Sequence, residues 1–178
     1  MKEKKKMALA LAACAAHEET YGTKVPLRLR ELWQSGEAFR AHGRCLPPGT
    51  SLPGFEVGSF RLASVPPSWD YLGSMGGLDD AISGEGGEWK DAGSFLPIFL
   101  LEQSRLLVAD LEDPSFPVGY YEDATFRSKA NGWDRGVYRI APSLEAFLAT
   151  LVTLDHAADF ETELDDGPWE DAAEETDD

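Results

Sequence analysis

FLPIFLLEQSRLLVADLEDPSFPVGYY, residues Phe95 to Tyr121, holds three apolar runs separated by two polar turns. Phe95, Leu96, Ile98, Phe99, Leu100 and Leu101 are too continuous for a strand with one wet face and too few for a membrane span. They predict a strand buried on both faces, at the centre of a sheet. Glu102-Gln103-Ser104 carries no apolar side chain, and Arg105 to Leu111 returns as a second strand, so an antiparallel hairpin is expected. Pro114 and Pro117 lack an amide donor and bracket the next turn, which makes Val118-Gly119-Tyr120-Tyr121 a third, more peripheral strand.

Outward from this stretch, Phe55 to Leu62 alternates apolar with polar or small residues and predicts the first strand, while Val137-Tyr138-Arg139-Ile140 predicts the last. Glu122 to Gly136 is polar, with Asn131-Gly132 as its turn signal. After Pro142-Ser143, the residues Leu144, Phe147, Leu148, Leu151, Val152 and Leu154 fall at helical spacing and predict a helix packed on the sheet. Upstream, an Ala-rich helix runs to about Thr20 before Tyr21-Gly22, and a short helix from Pro26 carries Leu27, Leu29, Leu32 and Trp33. Glu37 to Gly54 is crowded with Pro47, Pro48, Gly49 and Pro53 and reads as loop. Pro66 to Leu72 reads as the start of another helix, and Gly73 to Gly87 as too glycine-rich for regular structure. The fold class expected is α+β: a single domain whose central, mostly antiparallel sheet of four to six strands is flanked by N-terminal and C-terminal helices.

The 178 residues suit one domain, and a 43% hydrophobic share excludes wholesale disorder. Net charge is −16, unevenly spread: Asp155 to Asp178 holds twelve acids and no Lys or Arg, leaving 20 acids against 16 bases over residues 1–154. Residues 1–158 are therefore expected to form the domain and 159–178 an acidic, flexible tail dispensable for folding. This balance argues against direct binding of nucleic acid or of an anionic membrane. Lys2, Lys4, Lys5 and Lys6 before Met7 to Cys14 imitate an export or lipidation signal, but the apolar run is short and Ala-rich, so a helix in a cytoplasmic protein is the preferred reading. Cys14 and Cys45 fit reduced cytosolic thiols.

The order of elements resembles the SUKH superfamily, the Smi/Knr-type domain. The likeness lies in Tyr21-Gly22, Val25-Pro26 and Leu32-Trp33 with Gly36, then Phe55-Glu56-Val57-Gly58 with Phe60-Arg61-Leu62, and then Phe95-Leu96-Pro97-Ile98-Phe99 with Leu106 and Ala109-Asp110-Leu111. Pro117-Val118-Gly119-Tyr120 and Ile140-Ala141-Pro142-Ser143-Leu144 with Phe147-Leu148 complete it. The resemblance implies a non-enzymatic α+β domain, used in bacteria largely as an immunity protein that binds a secreted toxin and elsewhere as an interaction scaffold.

The residues themselves offer little for catalysis. His17, His42 and His156 fall in predicted helix, loop and helix end, and no nucleophile elbow, phosphate loop or His-Glu-x-x-His motif occurs. A small two-carboxylate hydrolase is the enzyme alternative, though carboxylates are too abundant to single out a pair. Cys14 with His17 and His42 with Cys45 have zinc-ligand spacing, but Cys14 also suits simple packing in its helix, and no metal or other cofactor is expected. For partner binding, Asp110, Glu112 and Asp113 form a candidate acidic patch, and Trp89 and Trp133 sit among charges and turn formers as candidate anchors. The partner expected is a protein; if it is a toxin, as the resemblance implies, the net charge of −16 suits a basic toxin domain such as a nuclease, and a scaffold with a cellular partner is the alternative.

Overall fold

The apolar run at 95–101 is the second strand of a six-stranded sheet, and all seven of its residues are buried. The structure, a computed structural model, describes residues 1–53, 60–69, 92–101, 105–121, 133–153 and 167–174. Along the chain the elements are α1 (Glu3–Tyr21), α2 (Leu27–Gln34), α3 (Glu37–Ala41), β1 (Leu62–Ser64), a 3-10 turn (Ala92–Ser94), β2 (Phe95–Leu101), β3 (Arg105–Asp110), β4 (Val118–Tyr121), β5 (Trp133–Asp134), β6 (Val137–Ala141), α4 (Leu144–Thr150) and α5 (Gly167–Glu174). The strand order is β1-β2-β3-β4-β6-β5, and every neighbouring pair is antiparallel. The chain is thus α+β, a single domain with helices at both ends.

Both faces of this sheet are covered, as the unbroken apolar character of 95–101 demands. One face presents Leu96, Ile98, Phe99, Leu107, Ala109 and Tyr120 to Cys14, Leu29, Leu32, Trp33, Leu144 and Phe147 of the helices. The other buries Phe95, Leu100, Leu106, Val108, Tyr121 and Val137 with Val65, Trp69 and Ala92. A bulge at Ile98, skipped between the pairs Pro97↔Val108 and Phe99↔Leu107, turns Ile98 and Phe99 toward the same helical layer. It also accommodates Pro97, which lies beyond the last β1 pair, Ser64↔Phe99, so that no residue of β1 needs its missing amide.

Several expectations need correction. Glu37–Ala41 is a short helix rather than loop, with Ala38 and Ala41 buried. The first strand was expected at 55–62; residues 54–59 lie outside the described residues, and β1 runs from Leu62 to Ser64. Pro66 to Trp69 is not helical, because the Trp69 indole is held instead by the Ala92 carbonyl at 3.1 Å; residues 70–91 lie outside the description. Trp133–Asp134 pairs with β6 although it was expected within a polar turn, and the actual hairpin loop is Arg135-Gly136. The helix begun by Ser143, whose hydroxyl accepts from Ala146 N at 3.0 Å, stops at Thr150 and not Leu154. There the Leu151 carbonyl takes a bond from Arg44, and Val152 exchanges two backbone bonds with Cys45. Last, residues 167–174 of the expected flexible tail form a helix whose Trp169 is 1% exposed.

Candidate interaction surface

The β3–β4 turn gathers the three carboxylates singled out from sequence, and they have different tasks. Asp110, the last residue of β3, is buried rather than on the surface; its Oδ1 accepts from Glu112 N at 2.9 Å and its Oδ2 from Arg135 Nη2 at 2.8 Å. Glu112 is exposed, yet fixed by Ser94 Oγ at 2.8 Å and Arg135 Nη1 at 2.6 Å. Asp113 Oδ1 accepts from Ser115 N at 2.9 Å and Ser115 Oγ at 2.6 Å, and these bonds hold its carboxyl below the usual carboxylate range. Of the two candidate tryptophans, Trp89 lies outside the described residues, and only the backbone of Trp133 is described, as the first residue of β5.

Sequence reasoning missed the residue that joins this cluster. Arg135 forks across Asp110 and Glu112 while its guanidinium lies 4.6 Å from the Phe95 ring centroid. It sits at φ 47 with Gly136 at φ 81, the backbone of a two-residue hairpin loop with both residues left-handed. A non-glycine residue there costs roughly 1–2 kcal/mol, offset here by two charge-assisted hydrogen bonds and a cation–π contact. The available signal was Asp134-Arg135-Gly136-Val137 between two strand-like pairs, which the stronger-looking Asn131-Gly132 obscured.

Beside the cluster a cleft of about 20 Å³ is lined by Phe95, Asp110, Gly119, Val137 and Arg139, room for about one water molecule. Gly119 makes the floor, and a Cβ there would stand 2.3 Å from Val137 Cγ1 and 2.7 Å from Tyr138 O. Arg139 is exposed at the rim, and its charge helps hold Asp113 ionised. The three carboxylates with Arg135 and Arg139 therefore sum to a charge of about −1, a rigid surface of mixed sign rather than a purely acidic patch.

The four residues with zinc-ligand spacing are engaged separately. Cys14 is fully buried, and burial pushes its thiol up to about 11, which suits packing rather than ligation. The His17 ring points Nε2 at the Gly93 carbonyl, 3.4 Å away; a carbonyl can only accept, so this nitrogen carries the proton. His42 accepts from Ser64 N through Nδ1 at 3.1 Å, and Cys45 is bridged through its backbone to Arg61 and Val152. Among the described residues no group of three or more His, Cys, Asp or Glu side chains is arranged to hold a metal ion. Nor is any described helix long and apolar enough to cross a membrane.

No protein family, curated protein or solved structure matches this chain.

Proposed function

We propose that this chain is a non-enzymatic protein-binding module, an immunity protein of the SUKH type that neutralises a toxin domain with a basic surface, such as a nuclease. The observation that carries this reading is that two carboxylates at the surface, exposed Glu112 and half-buried Asp113, are held by hydrogen bonds before any partner arrives. Side chains already ordered lose little further rotamer freedom on association, so their charge is available for recognition at low entropic cost. A nuclease groove lined with Lys and Arg for phosphate is complementary to such carboxylates. The near balance of charge around Arg135 assigns long-range attraction elsewhere, to the twelve acids of 155–178. That segment would steer the encounter while the β3–β4 turn fixes its orientation.

The test is co-expression with the product of the neighbouring open reading frame. Neutralisation of its toxicity, a complex that survives purification, and association that slows as salt shortens the Debye length to about 8 Å and below are the expected results. Glu112→Gln with Asp113→Asn should speed dissociation. Association indifferent to salt, together with dissociation indifferent to both substitutions, removes the acidic mimic. A neighbouring product neither bound nor neutralised removes the immunity reading and leaves a scaffold with a cellular partner.

A further inference from the structure

Helix α5 is eight residues long, too short to be stable on its own in water, so its order comes from what it touches. Among its described side chains, Trp169 is the buried one. Trp169 is 1% exposed, donates its indole N–H to the Ser64 carbonyl at 3.0 Å, and meets the Phe39 ring edge-on at a centroid distance of 5.8 Å. The Lys6 ammonium lies 5.8 Å over the same ring, and Lys2, Lys4 and Lys5, its neighbours in the sequence at the start of α1, are exposed. Ser64 at the end of β1 gives its carbonyl to Trp169 and its amide to His42, so both of its backbone groups are used. Burial first, and then the charges of Lys6 and Arg61, disfavour protonation of His42, whose ring accepts from Ser64 N beside this groove. The occupant comes from a segment, 155–178, with twelve acids and no Lys or Arg, and Trp169 is its only aromatic residue after Phe160. An amphipathic anchor, a short helix ordered by contact and opposite charges on the two sides describe a peptide seated in a recognition groove.

We propose that the groove bounded by the start of α1, by α3 and by the end of β1 is a second interaction surface, one that recognises an acidic helical segment through a single tryptophan, with residues 167–174 as its ligand in cis and a partner segment of the same chemistry as its ligand in trans. The cis ligand is tethered through residues 154–166, so its effective concentration is of millimolar order and an incoming segment must compete with it. The groove is thereby closed to weak ligands and open to a partner that matches both the ring and the charge.

The experiment uses the full chain carrying Trp169→Ala, with circular dichroism to establish that it is folded, and a fluorescent peptide of residues 161–178 read by anisotropy. The open groove should bind the peptide about 100-fold more tightly than the unsubstituted chain does, and raising the salt should weaken binding. A peptide that keeps Gly-Pro-Trp-Glu and the net charge but reorders the other residues should bind within a few-fold of the native one. Equal peptide affinity for the two chains, undiminished binding of a peptide with alanine in place of tryptophan, or failure of the reordered peptide would each overturn the proposal, the last by making the contact a private one. If the Trp169→Ala chain does not fold, a protease site placed within 154–166 of the full chain supplies the second test. After cutting, exchange of the native tail for labelled peptide supports the proposal, and a tail that neither leaves nor exchanges makes α5 a fixed part of the core and ends it.

Discussion

Asp110 and Arg135 depend on each other in a way that changes what neutralising the acidic turn should do. From sequence, Asp110, Glu112 and Asp113 formed one candidate acidic patch for a partner. Asp110 is instead buried against a guanidinium whose backbone holds an unfavourable conformation, so Asp110→Asn removes the ion pair that offsets that cost. We expect it to lower stability in urea by about 1–3 kcal/mol, with Glu112→Gln, whose pair with Arg135 is solvent-exposed, lowering the midpoint far less and Asp113→Asn leaving it unchanged. Equal midpoints for all three variants would show that Arg135 needs no buried partner. The histidines carry a second prediction at this scale. Burial, the largest cause, lowers the proton affinity of both His17 and His42, opposed at His17 by the Gly93 carbonyl and reinforced at His42 by Lys6 and Arg61. Their folded values lie below the unfolded one of about 6.5, so the unfolded chain binds more protons below that pH. The stability they contribute is fully present above pH 6.5 and is lost as pH falls through the folded values. Chemical denaturation from pH 7.5 to 5.5 should show this decline, and His17→Gln with His42→Asn should flatten it. An unaltered slope in that double variant would assign the decline to other groups. None of these pairings was legible in the chain, since a partner 25 positions away, as Arg135 is from Asp110, leaves no local pattern.

At the scale of elements the sequence was more informative. Continuous apolar runs identified β2, β3 and β4 because burial on both faces removes any need for polar alternation, but not their places: β2, expected at the centre, is second from an edge, and β4, expected at the periphery, lies inside the sheet between β3 and β6. Proline and glycine marked α2 and the turns for the same local reason. The Ser143 cap of α4 was visible as Pro142-Ser143 before an amphipathic run, and Ser143→Ala should cost about 1 kcal/mol, or a melting temperature lower by roughly 2–4 °C. A melt displaced by much less would mean that packing of Leu144 and Phe147 alone sets the helix start. What failed were short elements decided by neighbours. Five-residue α3 is held by its contacts with α2 and β1, and two-residue β5 exists only as the partner of β6. The expected overrun of α4 past Thr150 has the same origin, because the two backbone bonds that Val152 exchanges with Cys45 outweigh the helical spacing of Leu151 and Val152.

The whole molecule differs from its sequence reading mainly in the acidic segment. Twelve acids without a base do predict self-repulsion, yet one indole buried beside Phe39 and Ser64 overrides it for residues 167–174. Removing everything after Phe160 should therefore lower stability, where the charge pattern alone expected no loss. Trp169→Ala should cost about 3–5 kcal/mol, on the order of 10 °C in melting temperature. A melt unchanged by either alteration would mean that α5 adds nothing to the stability of the body. The candidate surface behaves similarly at this scale: its carboxylates could be named from sequence, but the two arginines that reduce their net charge could not.

The reach of Trp169 to Ser64 spans 105 positions, whereas β2, β3 and β4 each pair with a neighbour in the chain. Loop closure of that length is slow compared with hairpin formation, so a folding chain acquires its meander early and this contact late. On the ribosome the order is stricter, because α5 emerges after every other element described. A nascent chain that already holds its sheet still has the Ser64 carbonyl without its indole and Phe39 without its ring partner. Helix α5 acts as a latch that closes on a sheet already formed by the elements before it.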